Sequence, residues 1–472
     1  MTGGHGHKKL VQIDNTNESV YDHSIMFTPK IALHGKYDVV VVGGGAAGIT
    51  AAVSAARNGA KTLLVEQSAM LGGLGTNGLM TAIIAPTKHL GGIGNEIIRE
   101  ICSRGGAASV FREEYKTWVP YQNEVMKRIY DDIVCDAGVD LLLYTKLIGV
   151  EKNGRMIEYA IFSGAGELFG IAAKVFIDAT GDAILSVFAG EDCELGGENG
   201  DTQAPTMVAY YANVDFDRYA AFLKNEGGDH VRIFQGLITQ AAKDGVISIL
   251  DLHHPGAFQI GRQLALVNAG HIYGADCSTS SGLTAATLAG RAMAEEYLDF
   301  YRQYVPGFEN AYMTNTASTL GIRETRRVVG RYMLSYEDKK AFRCFADGVM
   351  RYDGGAGADL HASSDSKEAY KAYYDLYTSL NTETASSDGD EYCTMPYRSL
   401  LARKTDNLLI AGRCASTDRV VNATLRVMGY CFMMGQVTGT AAAQSVRESK
   451  AAADISIADL QRNLATDGIF NR

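Results

Sequence analysis

No two of the eight cysteines form a C-x-x-C pair, the nearest being Cys414 and Cys431. This excludes the common zinc, iron–sulfur and dithiol patterns, and buried free thiols in a reducing compartment are the expectation. Clustered basic residues are equally scarce. With 44 Lys and Arg against 54 Asp and Glu, a formal charge of -10 leaves no broad positive field for a phosphate backbone, so nucleic acid is not an expected partner. The first 36 residues place no long apolar core after Lys8 and Lys9, which argues against a secretory leader and for the cytoplasm. One uncharged stretch, residues 39–56, approaches membrane-span length, but its glycines and neighbours argue against a span. No internal repeat or low-complexity tract is visible.

What is present begins with "YDVVVVGGGAAGITAAVSAARNGAKTLLVEQ". It reads as a buried strand over 39–42, a glycine turn, a small-residue helix closed by Asn58-Gly59, and a second strand over 62–66. Gly43 permits a tight turn, Gly45 lets backbone approach a pyrophosphate, and Gly48 lets helix and strand pack closely. The helix start adds unpaired N–H groups and a positive dipole end. Glu66 ends the second strand, where a carboxylate accepts from ribose hydroxyls and repels a 2'-phosphate, so NADP is disfavoured. The fingerprint alone does not separate NAD from FAD. The next loop, "QSAMLGGLGTNGLMT", carries Gly72, Gly73, Gly75 and Gly78; bare backbone there suits a cofactor extending past its pyrophosphate, and equally suits a flexible surface loop.

Met126, Ile129, Tyr130, Ile133, Val134 and Ala137 fall at helical spacing and Gly138 ends the helix. "VDLLLYT" supplies another strand, and the alternating stretch that follows reads as an antiparallel meander with a turn at Asn153-Gly154, re-entering the sheet over 175–178 at "ATGD". Residues 191–389 are too long a departure for one loop and read as a second lobe. A strand over 408–411 then meets Gly412, followed by a long apolar helix containing Gly435 and Gly439.

Three separated segments, "VVVVGGGAAGITAA…LLVEQ…LGGLGT", "AKVFIDATGD" and "MPYRSLLARKTDNLLIAGRCAS…LRVMGYCFMMGQVTGTAAA", together with "PGFENAYMTNTASTLGIRETRRVVGRYMLSYED", resemble the bacterial FAD-dependent oxidoreductase family distantly related to the flavoprotein subunits of fumarate and succinate dehydrogenases. The expected fold is α/β: a discontinuous Rossmann-like FAD-binding domain (37–190 and 390–450) with an inserted α+β substrate lobe (191–389), an N-terminal extension (1–36) and a C-terminal tail (451–472). The resemblance implies FAD as cofactor, with Gly43, Gly45, Ala47 and Gly48 on the pyrophosphate and Glu66 on the adenosine ribose. It places Gly73 and Thr76 along the ribityl and flavin side, Leu147 with its backbone toward adenine, and Thr180, Gly181 and Asp182 beside the dinucleotide. Gly412 and Arg413 would close over pyrophosphate and ribitol. The start of the last helix, at Val427, Met428 and Gly429, would point its dipole at the flavin pyrimidine and favour the reduced, anionic ring.

Hydride chemistry at a flavin needs a carbon held at N5, a polarised substrate and one moved proton. "GIRETRRVVG", residues 321–330, offers three arginines whose forked donors suit a carboxylate or enolate oxygen. If extended, Arg323 and Arg327 share a face opposite Glu324 and Arg326; if helical, Arg323, Arg326 and Arg327 share one. Arg323 is the expected active-site member, with Glu324 and Arg326 pairing elsewhere. Tyr397, Arg398, Arg419, Asn422 and Arg426 flank the last FAD strand, where such folds place chemistry, and Arg398 and Arg426 are the further candidates for substrate or flavin contact. His361, in "GADLHA", is a candidate acid or base, while the tandem His253-His254 lacks a completing carboxylate spacing and no metal is expected.

No second G-x-G-x-x-G stands between strand and helix, and "GGAGAD" at Gly354 lacks that setting, so no dedicated NAD(P)H domain is expected. The reading is an oxidoreductase moving hydride between flavin N5 and a small organic substrate, with an electron donor or acceptor that docks transiently. A reductase of an activated C=C bond and a flavin electron-transfer subunit stand as alternatives.

Overall fold

The computed structural model describes residues 29–84, 90–106, 118–197, 200–227, 230–252, 256–352, 359–364, 366, 368, 371, 373–376, 378, 379 and 392–470. His253-His254 and most of "GGAGAD" lie outside these residues.

The valine run is the centre of the main sheet. Val39, Val40 and Val41 are wholly buried, as a continuous apolar strand must be when helices or loops cover both faces. Strand Ala32–Val42 pairs in parallel with Thr62–Val65 on one side and Glu167–Asp178 on the other, and Thr62–Val65 pairs in parallel with Asp140–Leu142. The meander strands Thr145–Asn153 and Met156–Gly164 are antiparallel to each other, and the second of them to the first half of Glu167–Asp178. Where the meander leaves off, Leu408–Ile410 takes its place, pairing in parallel with Phe176, Ile177 and Asp178. The chain thus closes its sheet with residues more than two hundred positions downstream.

Two stretches differ from the expected outline. The first strand starts at Ala32 rather than at 39, because residues 32–36 pair with Phe169–Ala172 across a register shift. The expected tail forms the helix Ile457–Thr466, started by Ser456 accepting from Asp459 N, and Leu460 and Leu464 are fully buried. Its apolar i,i+4 pair, followed by Ile469 and Phe470, packs on the main core.

Helix Ala46–Arg57 and helix Met428–Glu448 lie in close contact. A Cβ at Gly435 would collide with the Ala47 carbonyl oxygen, and one at Gly439 with that of Ala51. Ser54 Oγ seals the approach through the Gln436 carbonyl (3.1 Å) and Thr440 Oγ1 (2.8 Å). Helix Asn123–Asp136 buries Met126, Ile129, Tyr130, Ile133 and Val134, and Gly138 turns the chain at φ +72°.

A second sheet of four antiparallel strands, in the order Gly256–Gly261, Leu264–Asn268, Ala209–Ala212, Tyr312–Thr316, has its own aromatic core with helix Ser280–Tyr304, including Tyr211, Phe300, Tyr301 and Phe308. Residues 321–330 are neither a helix nor a continuous strand. Only Arg326–Val328 is a strand, paired with Cys193–Leu195, while 321–325 run irregularly beside residues 203–206.

Candidate functional site

The three fingerprint glycines have three separate physical reasons. Gly43 has φ +102°, and a Cβ there would sit 2.5 Å from the Ala179 carbonyl oxygen. A Cβ at Gly48 would collide with the Gly43 carbonyl, so helix and turn pack at backbone contact. A Cβ at Gly45 meets nothing within 4 Å. Gly45 is therefore open where the other two are crowded, and it caps helix Ala46–Arg57, which has neither a capping side chain nor an acid in its first turn. An open cradle at an uncapped helix start fits a pyrophosphate.

The other expected cofactor positions converge on it. A Cβ on the loop glycine Gly73, at φ +54°, would sit 3.2 Å from Gly45 Cα. Gly412, at φ +84°, would bring a Cβ to 3.0 Å from Ala47 Cβ. Gly75 abuts Met428 Sδ and Tyr121 Oη, and Tyr121 donates to the Gly75 carbonyl at 2.8 Å. The start of helix Met428–Glu448, capped by no side chain, is thereby held beside the glycine loop. Thr76 is committed to that loop, its Oγ1 donating to the Leu71 carbonyl at 2.5 Å. Glu66 accepts from Gly44 N and Ser68 N, both at 2.7 Å, one on each oxygen, which leaves a lone pair on each for a ribose hydroxyl. Leu147 is buried in the strand that begins where Thr145 N donates to the Glu66 carbonyl at 3.0 Å.

The corner that carries Asp178, Thr180, Gly181 and Asp182 lies directly against the Gly43 turn. Burial pushes the Asp178 carboxyl up, against four hydrogen bonds from Thr180 and Ser186 that favour its charge. Arg413 uses all three of its nitrogens on protein: Nε donates to the Gly181 carbonyl at 2.9 Å, Nη1 to the Ile322 carbonyl and Nη2 to Asp182. Asp182 also accepts from Thr325 Oγ1. Arg413 thus ties the Gly412 turn to the 181–182 corner and to the arginine segment.

The three arginines of that segment do three different things. Arg327 bonds to Glu324, Glu194 and the Thr417 and Gly196 carbonyls, and Glu324 also takes Arg419 Nε at 3.0 Å. Arg326 donates to the Ser278 carbonyl at 3.3 Å. Glu324 thus pairs with Arg327 and Arg419, not with Arg326. Arg323 is buried without a directly bonded carboxylate: Nη1 donates to the Ala204 carbonyl at 2.6 Å and to Thr206 Oγ1 at 2.8 Å, and among the described residues Nε and Nη2 have no hydrogen-bond partner. Burial, then the neighbouring Arg426 cation, push its guanidinium down to about 10.

His361 belongs to the same cluster. Its Nε2 meets Asp359 Oδ1 at 2.9 Å, and Asp359 Oδ2 accepts from Arg426 Nη2 at 2.8 Å. On its other side, His361 Nδ1 meets His271 Nε2 at 2.8 Å, and His271 Nδ1 meets Asp251 Oδ2 at 2.8 Å. Burial opposes the charge of Asp359, but His361, Arg426 and Arg323 together hold its carboxyl well below the usual range. The Asp359 side chain keeps 41% of its surface accessible, so water also shares that charge. Arg426 is two residues before Met428, which joins this cluster to the helix start facing the glycine loop. Among the described residues, no group of three or more His, Cys, Asp or Glu side chains is disposed to hold a metal ion.

Of the four candidates for chemistry, Arg323, Arg426 and His361 come together and Arg398 does not. Arg398 is paired with Asp347 at 2.6 Å and lies over the Tyr332 and Phe345 rings, 4.6 and 5.1 Å from their centroids. Sequence reasoning missed Asp359, Asp251, the place of His271, and the segment 203–206 that holds His361, His271 and Arg323. Asp359 lies two positions before His361 and was legible as its partner. Asp251 and His271 meet only because two loops, one after helix His230–Lys243 and one after strand Leu264–Asn268, converge, which leaves no local signal.

A parallel sheet with a glycine turn, an acid at the end of the second strand and a returning C-terminal strand and helix defines a dinucleotide-binding oxidoreductase fold. The particular family follows from comparison with known proteins. The family model described as FAD dependent oxidoreductase matches residues 38–464, and the chain belongs to that family, with FAD as its cofactor. Among curated proteins it is similar to digeranylgeranylglycerophospholipid reductase 1 of Methanococcoides burtonii, 26% identical over 213 residues, covering 42% of this chain and 51% of that protein. It is also similar to digeranylgeranylglycerophospholipid reductase of Methanocaldococcus jannaschii, 30% identical over 172 residues, covering 34% and 41%. The chain spans about half or less of the length of these relatives. Among solved structures, a geranylgeranyl bacteriochlorophyll reductase-like protein of Thermoplasma acidophilum aligns with a TM-score of 0.46 at 16% identity, covering 92% of this chain and 83% of that one. No helix among the described residues is long and apolar enough to cross a membrane.

Proposed function

We propose that this FAD-dependent oxidoreductase acts on a small organic substrate carrying a carbonyl or carboxylate, held by Arg323 and Arg426, with His361 and Asp359 handling the proton. FAD, when bound, supplies a two-electron carrier that gives or takes hydride at N5. The observation that carries the reading is Arg323: its buried guanidinium has no directly bonded carboxylate, its Nε and Nη2 have no hydrogen-bond partner among the described residues, and it lies beside a second cation, Arg426, which Asp359 pairs. Unmatched buried charge is costly, and an anionic or oxyanionic ligand offsets it. Gly43, Gly45, Ala47 and Gly48 would hold the pyrophosphate, Glu66 the ribose, and the Leu147 backbone the adenine. Gly73, Thr76 and Gly412 would line the ribityl path, with Thr180, Gly181, Asp182 and Arg413 beside it and Met428 toward the pyrimidine.

In this reading residues 37–190 with 390–450 form the FAD-binding domain and 191–389 the substrate lobe, distantly akin to fumarate reductase flavoproteins. The protein works in the cytoplasm with a transiently docked electron donor or acceptor. Direction has a favoured sense: the similar curated proteins are named as reductases, which supports reduction of an activated C=C bond over dehydrogenation of an alcohol. Anaerobic stopped-flow tests it. Reoxidation of the reduced protein by enones or unsaturated acids is the expected result; bleaching by alcohols, with no reaction of enones, overturns the reductase sense. Failure of carbonyl and carboxylate compounds in both half-reactions overturns the substrate class.

A further inference from the structure

Asp251, His271, His361 and Asp359 form a continuous line of hydrogen-bonding contacts at 2.8, 2.8 and 2.9 Å. Each of the three gaps needs one proton. Ionised carboxylates bring none, and two neutral imidazoles bring one each, so a fully bonded line requires one proton more. It cannot take two more: if both rings were imidazolium, His271 Nε2 and His361 Nδ1 would each carry hydrogen and face each other at 2.8 Å. The pair therefore has room for a single extra proton.

The line is fixed from outside. His271 N donates to Asp251 Oδ2 at 2.9 Å, His361 N donates to Gln203 Oε1 at 3.0 Å, and Thr206 bridges the backbones at His271 and Gly321. Tyr273 Oη donates to the second Asp251 oxygen at 3.1 Å, and Tyr297 lies close to Asp251. Arg426 bonds Asp359 from the other end, while Arg323, with Tyr373 near it, adds a second cation there. The side chains of Asp251, His271 and His361 are 3%, 5% and 5% accessible against 41% for Asp359. A proton held in the line consequently has its open end at Asp359.

We infer that this line is a one-proton store feeding the candidate site, with His361 and Asp359 passing the proton outward and His271 and Asp251 as positioning residues that keep it loaded. The step balances simply: the N–H bond at His361 Nε2 breaks, the proton passes to Asp359 and then to the substrate carbon or oxygen, and His361 is left neutral with Nδ1–H still bonded to His271. The electron pair comes from the reduced FAD of the proposed reaction, on which the substrate half of this inference rests.

The test uses the FAD-loaded protein labelled with ¹⁵N-histidine, the His271 and His361 signals being assigned with His271→Gln and His361→Gln. Over a pH titration the two wild-type rings should lose one proton in a single shared step, and His361 in the His271→Gln protein should titrate at a shifted pH. Two independent one-proton steps in the wild type, or an unmoved His361 titration in the variant, overturn the store whether or not any substrate is turned over. With turnover in hand, His361→Gln should lower kcat about 100- to 10,000-fold. His271→Gln should lower it less and move the pH profile of kcat with KM unchanged. A shared titration without any hydride chemistry would leave the store standing and defeat the proposed function instead.

Discussion

Two glycines three positions apart are separable by experiment. Gly48→Ala forces a methyl into the Gly43 carbonyl, and overpacking of that kind costs about 1–3 kcal/mol, so both thermal stability and bound FAD should fall. Gly45→Ala places its methyl in open space, where the pyrophosphate is expected; stability should hold while FAD affinity drops, as flavin absorbance retained after gel filtration will read. Equal loss of stability in both variants would contradict the division of labour. Arg323→Met removes a charged donor set without touching the cradle. A hydrogen bond to a charged group is worth about 1.5–3 kcal/mol, so kcat/KM should fall about 10- to 150-fold at unchanged FAD content. Undiminished turnover would reduce Arg323 to a strut for Ala204 and Thr206.

At the scale of elements, helix Met428–Glu448 has two tasks that depend on each other. Gly435 and Gly439 let it touch helix Ala46–Arg57 at backbone distance, and that contact fixes where both uncapped helix starts lie relative to Gly45 and Gly75. Gly439→Val should therefore lower the melting temperature and, at temperatures where the variant remains folded, weaken FAD binding as well. Measured by thermal unfolding with and without added FAD, a variant destabilised but binding FAD normally would show that the helix starts are placed by other contacts. Segment 203–206 is the corresponding element of the arginine–histidine cluster. Gln203 holds His361, Ala204 and Thr206 hold Arg323, and Thr206 bridges to His271 and Gly321, so one short piece holds three members of the cluster in place.

Over the whole molecule, ion pairs set the response to acid. Asp38 is held below the ordinary carboxylate range by a hydrogen bond from Lys174, Glu96 by one from Arg57 and Asp406 by one from Arg155. A carboxyl with a lowered folded value contributes stability that is complete above the ordinary carboxylate range and is lost as pH falls through it. Asp178 and Asp418, pushed up by burial, act with the opposite sign, losing stability as pH rises through their raised values. Burial also opposes the charge of Asp359, yet its two arginines and His361 outweigh it and align it with the first group. Urea midpoints should decline from pH 7 to pH 3, with the steepest loss below about pH 4.5. A flat or rising midpoint over that range would show that the buried carboxyls Asp178 and Asp418 dominate.

Local patterning was sufficient for the cradle. The valine run, the glycine spacing, the Glu66 strand end, the meander turn at Asn153-Gly154 and the helix from 126 to 137 are all short-range signals, because strand burial, positive φ and helical spacing are imposed by neighbouring residues. The sequence by itself therefore determined the dinucleotide fold and the family. It did not determine how the arginine–histidine cluster is assembled. Whether residues 323–327 were strand or helix was open because the backbone changes within them, irregular over 323–325, where residues 203–206 and Arg413 hold it from outside, and a short strand from Arg326. Arg398 and Arg426 look alike in sequence, each flanking strand Leu408–Ile410, but Asp347 takes one and Asp359 the other. The line from Asp251 to Asp359 joins residues from separate loops, and only tertiary packing decided it, since a hydrogen bond reaches about 3 Å in space whatever the distance along the chain.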